Sequence, residues 1–178
     1  MLPRMFLWFY CLTIPRALLV IALATAALMG LHRRFRRRTW WKALLVLGLL
    51  AGIGALLAQT LLVRSPGGFQ PPVLQPLASY RAVLRGENSE LLRSNFMNVA
   101  LFYPLGLTAA LAGCRARHPV LRTAGITAGF FLLSLGIELS QLHWGLGLCE
   151  ADDVLHNTLG ALLGALAGGS YPYLFPDA

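Results

Sequence analysis

Ser134, Glu138 and Gln141 are spaced i, i+4, i+7, so a helix presents all three on one face. A carboxylate between a hydroxyl and an amide can move a proton, or receive donors from a polar ligand. The residues just before it, Phe130 to Leu133, are apolar. In such a setting an ionised group facing lipid costs a few kcal/mol, so Glu138 is expected to face the inside of a bundle or a wet hollow. Two roles stay open for it: a ligand-binding or catalytic group, or a helix-bridging acceptor paired with an arginine of an outer loop.

A second constellation follows. Asp153 and Asn157 are i, i+4, and Gly160, Gly164 and Gly168 continue the same stripe. The repeated GxxxG lets another helix approach closely, within the chain or in a homo-oligomer. Asp152 or Asp153 could cap the helix, but a cap does not account for both acids and Asn157. A third segment carries Asn95 and Asn98, then Phe102, Pro104 and Gly106. Pro104 is expected to kink its helix and free a carbonyl, with Gly106 serving packing.

Other chemistry lacks support. Glu138, His143, Asp152, Asp153 and His156 include ligand types, but no compact spacing such as HExxH joins them, so neither metal nor cofactor is expected. His143 and His156 read as interfacial. Ser134 or Ser140 could enter a Ser-His-Asp set on paper, yet no nucleophile motif surrounds them. Ser65-Pro66-Gly67-Gly68 reads as a turn. Cys11, Cys114 and Cys149 form no CxxC pair and read as free thiols.

The elements that must position these side chains are membrane spans. Of 178 residues, 57% are hydrophobic and only 12% charged, against about 25% in soluble domains. The mean hydropathy is +0.64. We read the chain as all-α, a single domain over residues 1–178 and a polytopic bundle of about five spans. They lie near residues 13–31, 43–63, 95–113, 123–143 and 153–173. Thr13 can cap the first and Pro15 fits its first turn. Met5 to Tyr10 is aromatic-rich and suits the interface. Ala22-Leu23-Ala24 resembles a signal-peptide cleavage site, but the arginine-rich block from His32 to Arg38 favours a retained helix. Trp40 and Trp41 read as an aromatic belt. Between the second and third spans, Arg64 to Leu77 is rich in turn formers and Ala78 to Leu92 can form a short surface helix.

The net charge of +8 sits mostly between the spans, where Lys and Arg set topology and meet anionic lipid. No nucleic-acid partner is expected. The densest basic loops, Arg33 to Lys42 and Arg115 to Arg122, fall on one side, which is then cytoplasmic. The N-terminus is placed outside and the C-terminus inside. Every acid except Asp177 then falls on or near the outer side, and the expected binding pocket is Asn98, Ser134, Glu138, Gln141, Asp152, Asp153 and Asn157.

These residues resemble the VanZ-like family of bacterial membrane proteins. Asn98-x-x-x-Phe102-x-Pro104-x-Gly106, Ser134-x-x-x-Glu138-x-x-Gln141 and Asp152-Asp153-x-x-x-Asn157-Thr158-x-Gly160-x-x-x-Gly164 match its motifs in order and spacing. The match covers roughly Asn95 to Gly168. The resemblance implies a multi-pass protein of the cytoplasmic (inner) membrane and the cell envelope. The family's namesake is associated with low-level teicoplanin resistance. Two departures stand out. The family often has an Arg shortly before the acidic pair, where this chain has Gly147, leaving Arg93 as a source of charge. It often has Pro-Phe in the outer loop, where this chain has Pro76-Leu77. The expected function is an accessory or binding role toward membrane lipid or a lipid-linked cell-wall precursor. An intramembrane enzyme with Glu138 or Asp153 as base, and a small transporter or channel, are the alternatives.

Overall fold

The computed structural model describes residues 14–87, 90–113 and 118–176. The aromatic stretch from Met5 to Tyr10, and Cys11, Thr13, Cys114 and Asp177, lie outside them. Among the described residues the long elements are all helices: α1 (Ile14–Phe35), α2 (Thr39–Leu57), α4 (Glu90–Ala112), α5 (Pro119–Trp144) and α6 (Ala151–Gly169). A π-helical turn, Ala58–Leu62, extends α2. Two short helices are also present among the described residues, α3 (Ala78–Leu84) and α7 (Tyr171–Leu174).

Among the described residues four segments are long and apolar enough to cross a membrane: α1, α2 with its π turn, α4 and α5. At 19 residues α6 is about 28 Å long, close to the hydrocarbon thickness. Its first two turns carry Asp152, Asp153, His156 and Asn157, which lower its hydropathy. It avoids the cost of facing lipid by lying inside the bundle, packed mainly on α4 and then on α5. Its stripe of Asn157, Gly160, Ala161, Gly164, Ala165 and Gly168 is buried.

The glycines set that packing. A Cβ at Gly160 or Gly164 would run into the carbonyl of Val99 or Tyr103, and one at Gly106 into that of Ala161. The two backbones meet nearly in contact, as small-residue membrane interfaces allow. The contacts ascend together, 99 with 160 and 103 with 164, so α4 and α6 run parallel. The stripe is thus filled by the chain's own α4. The α4 helix continues through Pro104, whose carbonyl accepts from Thr108 Oγ1 at 2.7 Å.

Below the polar residues an apolar layer of Leu56, Phe102, Leu105, Phe130, Ile137 and Ala161 fills the bundle. At the basic end, Arg122 donates to the carbonyl of Gly113 at the end of α4 (2.5 Å). There the aromatic pair divides. Trp40 is exposed as a belt residue should be, but Trp41 turns inward and donates to His32 Nδ1 at 2.9 Å. Adjacent helical positions differ by about 100°, so only one of the two can face lipid.

Candidate functional site

Three helices bring their polar positions to one end of the bundle. From α5 come Ser134, Glu138 and Gln141, all buried, as the shared face requires. Glu138 Oε2 accepts the backbone N–H of Glu150 at 3.0 Å. Gln141 Nε2 donates to the carbonyl of Thr60 in the π turn at 3.3 Å. From α6, Asn157 donates to Ser134 Oγ at 2.9 Å, and Asp153 Oδ1 accepts from Asn98 of α4 at 2.7 Å.

The cluster keeps unused acceptors. Glu138 Oε1 and Asp153 Oδ2 have no hydrogen-bond partner among the described residues. The Asn157 carbonyl oxygen is buried and also unpartnered. An orphaned buried amide oxygen costs free energy, so native proteins rarely keep one without water or a ligand to satisfy it.

Asp152 takes a different task. It accepts the N–H groups of Leu77 and Ser79 and the Ser79 hydroxyl, so it caps α3 instead of its own helix. Asn95 donates to the same Ser79 oxygen at 2.7 Å. His156 is buried rather than interfacial, held between the Asp152 carbonyl and the Tyr80 hydroxyl at 2.7 Å. These residues form a latch. It fastens α3 over the end of α6 beside the acid and amide cluster, and no hydrogen bond joins the two sets among the described residues. Leu77, with φ of 60°, turns the chain sharply so that its N–H and that of Ser79 converge on one carboxylate.

The loop before α3 closes the same end. Gly67 N–H donates to Gly145 O, Val73 N–H to Cys149 O, and Ala151 N–H to Val73 O, all within 2.8–3.0 Å. Val73 and Glu150 make an isolated parallel bridge. Residues 64–77 therefore lie directly against the turn that joins α5 to α6.

The cation of the site is Arg64. A Cβ on Gly147 would sit 2.5 Å from Arg64 Nη1 and 3.9 Å from Gln141 Oε1. The guanidinium thus fills the space a side chain at 147 would take, and its charge acts on both Glu138 and Asp153. Arg93 pairs with Glu90 at 3.5 Å. The sequence offered Glu138 an arginine of an outer loop as a partner without singling out Arg64, and it did not point to the latch residues Ser79 and Tyr80. The available signal was the glycine at 147, which vacates room for a cation from elsewhere.

Two groups beyond the helices feel the concentration of acid. Burial, then the charges of Asp153 and Asp152, raises the Glu150 carboxyl above its ordinary range. Burial, then Glu138, Asp153 and Glu150, pushes the Cys149 thiol up. No three His, Cys, Asp or Glu side chains converge as metal ligands among the described residues.

The family described as VanZ/LLP1 matches residues 43–169, which hold every residue of the cluster. No curated protein and no solved structure is detectably similar to the chain.

Proposed function

The chain belongs to the VanZ-like family, and from that membership we propose that it is a binding or accessory protein of the bacterial cell envelope. Its pocket is the cluster of Asn98, Ser134, Glu138, Gln141, Asp153 and Asn157, with Arg64 at the mouth. The basic turn around Arg36 to Arg38 and the region of Arg122 face the cytoplasm, which puts the pocket under the outer surface of the inner membrane. Its ligand is the head group of an envelope lipid or a lipid-linked cell-wall precursor.

The observation that carries this reading is the set of unused acceptors. Glu138 Oε1, Asp153 Oδ2 and the Asn157 carbonyl share one end of the bundle with the Arg64 guanidinium. Acceptors facing one cation suit a ligand with N–H or O–H donors and an anionic group, such as an amino-phosphate head group or an amino sugar phosphate. The close-packed layer of Phe102, Phe130, Ile137 and Ala161 beneath the cluster argues against a transport path.

Protein extracted gently from membranes should carry an envelope amphiphile that mass spectrometry identifies. Glu138→Gln should insert normally and lose it. Equal retention by both proteins would remove Glu138 from the pocket. If the ligand is a wall precursor, deleting the protein should also shift teicoplanin susceptibility.

A further inference from the structure

The acids and amides of the cluster stand at two levels. The lower level is Ser134 of α5 with Asn157 of α6, hydrogen-bonded at 2.9 Å. The two helices run in opposite directions on either side of the turn at 145–150. Four residues on from Ser134 along α5 is Glu138, and four residues back from Asn157 along α6 is Asp153. Both steps lead toward the same end of the bundle. Each covers about 6 Å at 1.5 Å per residue, so the two carboxylates come to one height above the amide. Their charges act on each other, as groups at one height do. Arg64 stands higher still, at the exposed mouth beside Gln141 Oε1 and Gly147.

What stays unused at both levels is oxygen. Asn98 holds Asp153 through Oδ1 and the Glu150 N–H holds Glu138 through Oε2, so each carboxylate keeps one free oxygen among the described residues. Asn157 is only 7% exposed. Its amide nitrogen is spent on Ser134, while its Oδ1, one turn under Asp153, has no partner. Charge is unbalanced in the same sense. His156 is satisfied as a neutral ring, because Nδ1 must donate to the Asp152 carbonyl and Nε2 then accepts the Tyr80 hydroxyl. That leaves the Arg64 guanidinium as the full positive charge acting on both Glu138 and Asp153. A buried carboxylate short of counter-charge is costly. A neutral sugar hydroxyl would fill the acceptors and leave that cost standing. A calcium ion takes about six to eight oxygens, more than this cluster leaves unspent.

We propose that the pocket takes a primary ammonium group, whose three N–H donors are shared among Glu138 Oε1, Asp153 Oδ2 and Asn157 Oδ1, while a phosphate on the same ligand meets Arg64 at the mouth. This rests on the pocket reading and names its ligand class, a zwitterion with a free amine beside a phosphate. The same chemistry occurs in an ethanolamine phospholipid and in free aminoethyl phosphate. Recognition needs both properties of the amine. A trimethylated nitrogen keeps the charge and has no donor, and an acylated nitrogen keeps a donor and has no charge. Arg64 instead reads the phosphate that all these ligands share.

The test uses the full chain in vesicles holding equal amounts of phosphatidylethanolamine, its N-acetyl derivative, phosphatidylcholine and phosphatidylglycerol. After gentle extraction, mass spectrometry reads the retained lipid. Phosphatidylethanolamine should be enriched about tenfold or more over each of the others, the worth of a charged hydrogen bond. Glu138→Gln and Asp153→Asn preserve side-chain shape and should each bring that ratio close to one. Arg64→Gln should lower retention of all four lipids while leaving the preference for the amine. Melting curves in detergent separate the sources. Protection by aminoethyl phosphate as large as that by phosphatidylethanolamine assigns the site to a soluble ligand, and protection by the lipid alone assigns it to the lipid; both uphold the ammonium. Protection by neither overturns it, as does equal protection by sodium chloride matched against choline chloride, which would mark an inorganic cation. Choline or N-acetyl lipid retained on a par with phosphatidylethanolamine also overturns it. In that case, lipid still lost from Glu138→Gln leaves the pocket standing, whereas equal retention by Glu138→Gln and wild type removes the pocket itself.

Discussion

A glycine and an arginine distant in sequence settle the charge of this site. Gly147 vacates a volume and Arg64 fills it from the end of α2, so the same point in space holds a cation by a different route. Arg64→Gln should therefore weaken retention of the bound amphiphile by about 1.5–3 kcal/mol, roughly tenfold to a hundredfold, the worth of a charged hydrogen bond. The double variant Arg64→Ala with Gly147→Arg should regain most of it, because the φ of Gly147 is not positive and tolerates a side chain. Retention that stays low in the double variant would mean Arg64 acts through its own stem. The Glu150 carboxyl, raised by burial and by Asp153 and Asp152, gives a pH signature. The folded protein holds this proton more tightly than the unfolded chain does. The group's contribution to stability is therefore greatest in acid and falls as pH rises through its folded pKa. Glu150→Gln should match wild type near about pH 4 and melt higher by about pH 8, by a margin that solvent screening keeps modest. Parallel melting curves across that range would contradict the assignment.

At the scale of elements, glycines with opposite surroundings make opposite predictions. Gly164→Ala would drive a Cβ into the carbonyl of Tyr103 and the N–H of Leu107, which are backbone and cannot swing aside. It should cost about 1–3 kcal/mol, seen as a lower melting temperature in detergent. Gly54→Ala, on α2 with nothing within 4 Å, should gain about 0.5–1 kcal/mol from helix propensity alone. A neutral Gly164→Ala would mean that α4 and α6 pack less closely than these contacts require. The spans were legible because an apolar run of about twenty residues finds few stable settings other than a bilayer. The faces of α5 and α6 were legible because helical spacing fixes them, as with Ser134, Glu138 and Gln141. What lay hidden were contacts between segments far apart in the chain. No local pattern says that Asp152 caps α3, that His156 is enclosed by Tyr80, or that Trp41 turns from the belt toward His32. Each depends on which helix lies alongside, and that is set by packing.

The whole molecule is polar in the sense of having two unlike ends. One carries the arginine turn between α1 and α2, with Arg122 capping α4. The other carries Glu138, Glu150, Asp152 and Asp153 under the loop that Val73 and Ser79 pin down. That asymmetry is also the basis of the orientation, since positive loops stay on the cytoplasmic side. In the proposed orientation the acidic end meets the outer side of the membrane, and the proposed ligand would reach it from there or from the outer leaflet. Cysteines placed singly at Phe69 in the latched loop and at Arg37 in the basic turn, with the native cysteines changed to serine, test this directly. Both sites are exposed. A membrane-impermeant maleimide should label Phe69→Cys in intact cells and Arg37→Cys only after permeabilisation. The reverse pattern would turn the cluster toward the cytoplasm, where no head group of an outer-leaflet lipid could reach Glu138. A further variant extends the logic to the latch. Asp152→Asn removes the carboxylate that gathers Leu77 and Ser79, so it should lower the melting temperature in detergent without changing the side from which Phe69→Cys is labelled.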